Sequence, residues 1–339
     1  MRPRPDEEVN VLGAAASAVD GSERIVLAVS GGLDSMVLLD AVARAVGDRS
    51  RVLVATFDHR SGAHSGKAVR KVRKRAQALG LRCVTGLATQ ATHREHEWRE
   101  ERWKFLRSTA AAFSAPVFTA HTLDDQIETV FMRILRDAGA RGLAGLYAES
   151  DVIRPFIALR RSALESYAVS RRITYADDPS NASRAHLRNR VRHEILPAIT
   201  RLRPQFPSQL LTIAQMAASW REEMTRTADH IEPTITADRS LRVERAALAG
   251  YDDDSLRVLW PCIAAKVGIV MDRRGTQRLA EFTMKGHTGG VIQLSGGIEV
   301  RMFRDHLLLR RWDASSVEAI RSARLGMAGA RFQPRPELS

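Results

Sequence analysis

Apolar positions along this chain follow two rhythms. Short runs rich in apolar β-formers occur at 25–29, 51–57, 81–84 and 116–120, and predict strands buried in a parallel sheet. Between them, 9–20, 36–46, 65–79, 92–113 and 122–136 carry apolar residues every three or four positions, the signature of helices with one buried face. Strands and helices thus alternate, which predicts an α/β fold with a Rossmann-like parallel sheet. Helices are expected again at 162–171 and 206–227, with Pro197 closing a helical stretch between them. Beyond 228 the rhythm changes. A strand at 241–243, helices at 254–267 and 276–282, and three strands at 289–294, 298–303 and 306–310 predict a small α+β module. Ser295-Gly296-Gly297 and Arg304-Asp305 make its turns. The expected organisation is an α/β domain over 1–205, a connecting helix over 206–227, a small α+β domain over 228–314, and a helix with a tail over 315–339.

The first strand runs into Ser30-Gly31-Gly32-Leu33-Asp34-Ser35 and then a helix. That succession suits phosphate. The glycines let backbone approach an anion, and the helix N-terminus offers unpaired N–H groups at the positive end of its dipole. Ser30 and Ser35 add hydroxyls. Asp34 does not belong in a pure anion cradle and suggests a metal or amide contact. Neither G-x-x-x-x-G-K-[ST] nor G-x-G-x-x-G is present; Gly62 to Ala68 has the wrong spacing. The second strand ends in Asp58-His59, at the strand end where open α/β sheets bind ligands.

Residues 65–79 bury Val69, Val72, Ala76 and Leu79 and otherwise present Lys67, Arg70, Lys71, Arg73, Lys74 and Arg75. This is either a solvated face or a surface that touches RNA. Thr92 with Glu95 reads as a capping box, and His93 and His96 lack metal-site spacing. The fourth strand delivers His121-Thr122-Leu123-Asp124-Asp125-Gln126-Ile127-Glu128-Thr129. Thr122 caps a helix whose apolar face is Ile127, Val130, Phe131, Ile134 and Leu135. Asp125 and Glu128, at i and i+3, share the opposite face, turned away from the core. Acids in a first turn also complement the helix dipole, but that leaves Glu128 and His121 unexplained. Gly139, Gly142 and Gly145 punctuate a loop over 136–146 of the kind used for lids and binding. Asp177-Asp178-Pro179-Ser180-Asn181 is a turn. After it, Arg188 and Arg192 share one helix face, suited to phosphate or to an oxygen gaining negative charge, or else to ordinary surface charge.

The formal net charge of +13 over 339 residues points to an anionic partner. Nucleic acid fits better than membrane, because no apolar run reaches spanning length. Cys83 and Cys262 are the two cysteines. They form no pair motif, which fits a reduced cytoplasmic protein without disulfide framework or iron–sulfur site. The opening residues carry acids and read as no signal peptide.

SGGLDS resembles the pyrophosphate loop of the N-type ATP pyrophosphatases. With DHRSGAHS, AHTLDDQIET, RDAGARGLAGL, IRPF and DDPSN…LRNRVR following in order, the chain resembles the bacterial tRNA(Ile)-lysidine synthetases, in a short form. The resemblance implies a PP-loop ATPase domain, ATP and Mg²⁺, L-lysine, and an isoleucine tRNA with a CAU anticodon. It implies adenylation of C2 of the wobble cytidine, then attack by the lysine ε-amine with loss of AMP. Ser30, Gly31, Gly32, Leu33, Asp34 and Ser35 would hold pyrophosphate, with Asp34 at the metal. Ala55, Thr56 and Phe57 would line the adenine pocket, with His59 beside them. Asp125 and Glu128 would take the amine, His121 or a carboxylate would take its proton, and Arg188 or Arg192 would steady the α-phosphate. The family's usual second histidine is Thr122 here, and Asp137-Ala138 stands where a serine or threonine is common. A homodimer stays open. The rival readings are a tRNA thiolase of the same superfamily, an ammonia-dependent synthetase acting on a small acid, and a non-catalytic RNA-binding protein.

Overall fold

The computed structural model describes residues 5–60, 62–88, 95–176 and 186–311. Expectations for Thr92 and His93, for the Asp177–Asn181 turn and for the chain beyond 314 lie outside them. The chain divides into two compact units, Met1–Ala218 and Ser219–Ser339.

In the first unit the alternation of strand and helix holds. In order come α1 (Pro5–Asp20), β1 (Ile25–Ala28), α2 (Leu33–Ala45), β2 (Val52–Asp58), α3 (Ala63–Ala78), β3 (Arg82–Leu87), α4 (Glu95–Phe113), β4 (Val117–Phe118) and α5 (Leu123–Ile134). Then follow α6 (Ala140–Leu143), β5 (Val152–Ile153), α7 (Arg161–Ser170), α8 (Leu187–Arg190), a π-helical turn Val191–Ile195 and α9 (Leu196–Leu202), and α10 (Phe206–His230) begins in this unit and continues past Ala218 into the second. The five strands pair in parallel in the order β3-β2-β1-β4-β5. Successive residues of a strand point to opposite faces; β1, β2 and β4 are buried on both, whereas β3, expected to be buried, is an edge strand and mostly exposed. Ile25 and Leu27 of β1 join Val52 and Val54 under α1, α2, α3 and α7. Val26 joins Ala55, Val117 and Leu106 of α4 on the other face.

This strand order positions the site. From β1 the chain moves outward through β2 to β3, then returns across to β4 on the other side of β1. The order therefore reverses between β1 and β4, and the crevice beyond their carboxyl ends is the binding position of such sheets. The Ser30 loop leaves β1 there, and His121-Thr122 leaves β4 there.

Some details differ from the sequence expectation. Pro197 does not end a helix; it lies in the first turn of α9, directly after the π-helical turn. The 136–146 loop contains α6 and a 3₁₀ turn, Gly145–Tyr147. Gln126 and Arg133 of α5 hold it through three hydrogen bonds. The Gln126 amide donates to the Ala144 carbonyl at 2.8 Å and accepts from the Leu146 N–H at 2.6 Å, and Arg133 donates to the Gly142 carbonyl.

In the second unit β6 (Thr234–Ile235), β7 (Leu241–Glu244), β8 (Val291–Leu294), β9 (Ile298–Met302) and β10 (His306–Arg311) form an antiparallel sheet, ordered β6-β7-β10-β9-β8. It shares a core with α11 (Asp253–Ala265) and α12 (Arg273–Lys285), around fully buried Trp260. The two-residue β6 carries too little pattern to be read from sequence.

One polar group sits at the centre of the first unit. Asp40 of α2 is fully buried among apolar residues. It accepts from Arg44 Nε at 2.8 Å, Tyr167 Oη at 2.9 Å and Arg75, so α2, α3 and α7 meet on one carboxylate. Burial alone would raise its pKa, but hydrogen bonds from Arg44, Tyr167 and Arg75 outweigh burial and hold it below the usual range. A carboxylate stabilised in this way contributes above about pH 4, its unfolded value, and the contribution fades as pH falls through the lower folded value. Asp40→Ala is expected to remove about 2–3 kcal/mol of unfolding free energy in urea titrations at neutral pH. Asp40→Asn should flatten the loss of stability below pH 4. A variant that melts like the wild type at both pH values contradicts this role.

Candidate active site

The loop at the end of β1 is tied to itself. Ser35 Oγ donates to the Gly32 carbonyl at 2.9 Å and accepts from the Gly31 N–H at 3.2 Å, with Ser30 Oγ at 3.1 Å. Ser35 is thus the loop's internal brace, and Ser30 is the more exposed hydroxyl. Gly31 has φ +93°, and a Cβ there would stand 3.1 Å from Ala68 of α3, so only glycine fits. No side chain caps α2; its first-turn N–H groups are left for an anion.

Asp34 lies in that first turn. Burial pushes its carboxyl up to about 6, opposed first by Arg161; Asp125 raises it further and Arg192 lowers it. Its Oδ2 is 3.3 Å from Arg161, and its Oδ1 is buried without a hydrogen-bond partner. A buried, under-compensated carboxylate oxygen beside a phosphate cradle fits Mg²⁺. That ion is usually held by one or two carboxylates together with substrate phosphates. Among the described residues no group of three or more His, Cys, Asp or Glu assembles.

Across the crevice, Thr122 caps α5 through a capping box with Asp125. The acid pair lies differently from expectation. Asp125 and Glu128 do share a face, but it is buried, covered by α8 and the π-helical turn. Asp125 Oδ2 accepts from the Thr122 N–H at 2.9 Å and hydroxyl at 3.0 Å. Its Oδ1 accepts from Arg188 at 2.9 Å and Arg192 at 3.0 Å. Glu128 Oε2 accepts from Arg188 and Arg192, each at 2.9 Å, and its Oε1 accepts from Arg192 Nε. Two carboxylates and two guanidiniums thus form one closed, neutral cluster. Burial would raise the Asp125 pKa; Arg188, the Thr122 N–H, His121 and Arg192 together hold it low.

His121 stands beside this cluster. Burial pushes its pKa down to about 4, against the pull of Asp125. Its Nδ1 is 2.8 Å from Thr119 Oγ1. Thr119 went unremarked in the sequence, where a threonine in a short strand looks like any β-former. Arg161 joins Asp34 to the Asp124 region: its backbone N–H donates to Asp124 at 2.7 Å.

The end of β2 is aromatic. Thr56 is buried with its Oγ1 lacking a hydrogen-bond partner, and Ala55 is buried beside it. Phe57 meets His59 edge-on at 5.0 Å and Phe105 at 5.7 Å, and His59 lies 5.8 Å from Trp98. These rings face α4. Asp34, Arg161, Asp125, Glu128, Arg188, Arg192 and His121 interact with one another, whereas Phe57 and His59 belong to the ring cluster. Cys83 lies on the edge strand β3, where burial raises its thiol pKa.

A model of the PP-loop domain matches residues 6–199. The chain is similar to the tRNA(Ile)-lysidine synthase of Geobacter sulfurreducens, 34% identical over 66% of this chain and 50% of that protein. It is also similar to those of Burkholderia pseudomallei, 31% over 94% and 67%, and of a Methylobacterium species, 34% over 77% and 79%. The chain spans half to two thirds of the length of the first two. Among solved structures, the U34-tRNA thiolase NcsA from Methanococcus maripaludis with its [4Fe-4S] cluster shares the fold. Its TM-score is 0.50 at 13% identity, over 62% of this chain and 77% of that one.

His121 supplies a direct check on the site's electrostatics. With its folded pKa near 4 and an unfolded value near 6.5, the unfolded chain binds more protons between them. Stability should therefore fall as pH drops through that window. Nuclear magnetic resonance of the His121 ring should show a neutral imidazole at pH 6 and a midpoint about 4. A midpoint near 6.5 would mean an open, solvated site.

Proposed function

Because the chain belongs to the PP-loop family, within the tRNA(Ile)-lysidine synthases, we propose that it ligates L-lysine to C2 of the wobble cytidine of a CAU-anticodon isoleucine tRNA. ATP is cleaved to AMP and pyrophosphate. In the first step the C2 oxygen bonds to the α-phosphorus and the bond to the β-phosphate oxygen breaks. In the second the lysine ε-nitrogen bonds to C2, and the C2–O bond breaks, so AMP leaves with that oxygen.

The observation that carries this reading is the neutral Asp125–Glu128–Arg188–Arg192 cluster beside the Ser30–Ser35 loop. A free amino acid is a zwitterion, and the cluster offers it partners of both signs. The α-ammonium suits the carboxylates, and the α-carboxylate suits the planar guanidinium forks. This assignment leaves the ε-amine free to reach C2. An ε-ammonium clamped between two carboxylates would be held protonated and unreactive.

The remaining residues have separate tasks. Gly31, Gly32, Leu33 and the first turn of α2 bind the phosphates, with Ser30 as a hydroxyl donor and Ser35 bracing the loop. Asp34 would hold Mg²⁺, which screens phosphate charge when bound. Ala55, Thr56 and Phe57 line the adenine side, with the Thr56 hydroxyl as an unused donor and His59 closing the wall. The guanidiniums also face charge that grows on the α-phosphate. His121 is neutral and ready to receive the proton shed by the ε-nitrogen once its bond to C2 makes it acidic. That role requires the tautomer in which Nδ1–H donates to Thr119 and Nε2 is bare.

The test is incorporation of radiolabelled lysine into a CAU-anticodon isoleucine tRNA transcript, with initiator tRNA(Met) as the competitor. The reading predicts ATP-dependent label in the first and little in the second. No label from folded protein, or equal label in both, sinks it. Thr119→Val should lower kcat about 10-fold or more, within the usual span of general-base effects, with the KM for ATP unchanged. An unaffected kcat would take His121 out of proton transfer.

A further inference from the structure

From Asp58 to Glu95 the sequence carries no carboxylate between those two residues, while α3 alone carries Lys67, Arg70, Lys71, Arg73, Lys74 and Arg75. The structure divides these cations into two groups. Arg75 is spent on buried Asp40, and Lys71 Nζ donates to the Tyr175 carbonyl. Lys67, Arg70, Arg73 and Lys74 are exposed, and none of them pairs with an acid among the described residues. Positions 67, 70 and 74 lie on one ridge of the helix, about 10 Å from end to end. Arg73 and exposed Arg82 line a recess at the other end of α3, with Gln77, Gly80, Leu81 and Cys83.

The ridge starts at the site. Ala68 lies against Gly31, and Ser65 Oγ donates to Asp58 at the end of β2. The cations therefore form a row leading away from the phosphate loop across one surface of the first unit. A solvated helix face usually mixes both signs, as α4 does, where Arg99, Lys104 and Arg107 alternate with Glu97, Glu100 and Glu101. Like charges at i and i+4 destabilise a free helix; a polyanion lying along them removes that repulsion.

We propose that the Lys67–Arg70–Lys74 ridge, continued by Arg73 and Arg82, is a docking surface for the sugar–phosphate backbone of the RNA whose base enters the crevice. It positions without reading sequence, as phosphate contacts do. The proposal rests on the tRNA reading above.

The experiment compares two triple variants of the full chain, Lys67→Ala/Arg70→Ala/Lys74→Ala on α3 and Arg99→Ala/Lys104→Ala/Arg107→Ala on α4. Affinity for the tRNA transcript is measured by filter binding from low to high salt, and melting temperatures confirm folding. Removing three phosphate contacts should reduce the slope of log affinity against log salt by about 2–3, and the KM for tRNA should rise about 10-fold or more. The KM for lysine should not change. The α4 variant should lose less than one unit of slope. The proposal is overturned if the α3 variant keeps the wild-type slope and affinity, or if the α4 variant loses as much. It is also overturned if the α3 variant loses binding to anionic vesicles while its RNA binding is intact. Lysine incorporation by the wild type, run alongside, separates the two claims. Incorporation with α3-independent binding defeats this proposal alone. Absent incorporation with α3-dependent RNA binding defeats the lysidine reading alone.

Discussion

Two carboxylates cannot both stay ionised when buried side by side unless cations compensate them. Asp125 and Glu128 are each less than a tenth exposed, and Arg188 and Arg192 are what make that arrangement stable. Removing one partner of a buried pair typically costs about 3–5 kcal/mol, less here because the guanidiniums keep some contact with water. The cluster therefore does structural duty. It binds the Leu187–Ile195 segment to α5, and Val191 and Leu196 pack with Ile127, Val130 and Phe131 behind it. The π-helical turn lies in this segment, a local rearrangement often found at functional sites.

The same constraint shapes the chemistry. A bare acid pair would bind any amine and raise its pKa. With two guanidiniums added, the cluster is two-signed, so on the proposed reading a substrate would gain by exchanging partners with it only if it carries both charges. Asp125 serves three ends at once: capping partner of Thr122, anion for the arginines, and neighbour of His121. The sheet reversal between β1 and β4 brings this cluster within electrostatic reach of Asp34. Activation of a carbonyl oxygen and delivery of an amine can then share one crevice.

Much of this was legible in the residues. SGGLDS after an apolar run dictates strand, loop and helix, and Gly31 is needed for both its φ and its contact with Ala68. Thr122 with Asp125 marks the start of α5, and the alternation of strands and helices sets the layer order. What escaped was mostly long-range or very short. The face of α5 bearing Asp125 and Glu128 looks solvated from its own period, because its partners lie about sixty residues later. Gln126 is buried against the Ala144–Leu146 backbone, a contact no local pattern announces. β5 and β6 have two residues each, too few to show a rhythm. Pro197 reads as a stop signal unless the preceding turn is known to end just before it.

On the proposed reading, the four-charge cluster binds the zwitterionic head of lysine and leaves the ε-amine to react. The decisive comparison is L-lysine with cadaverine, which keeps both amines and lacks the α-carboxylate. With ATP and tRNA held constant, cadaverine should require at least about 10-fold higher concentration, as expected when a charged hydrogen-bonding site is left without its partner. Glu128→Gln should weaken lysine far more than ATP. Equal use of cadaverine and lysine would contradict this role and put the head group outside the cluster.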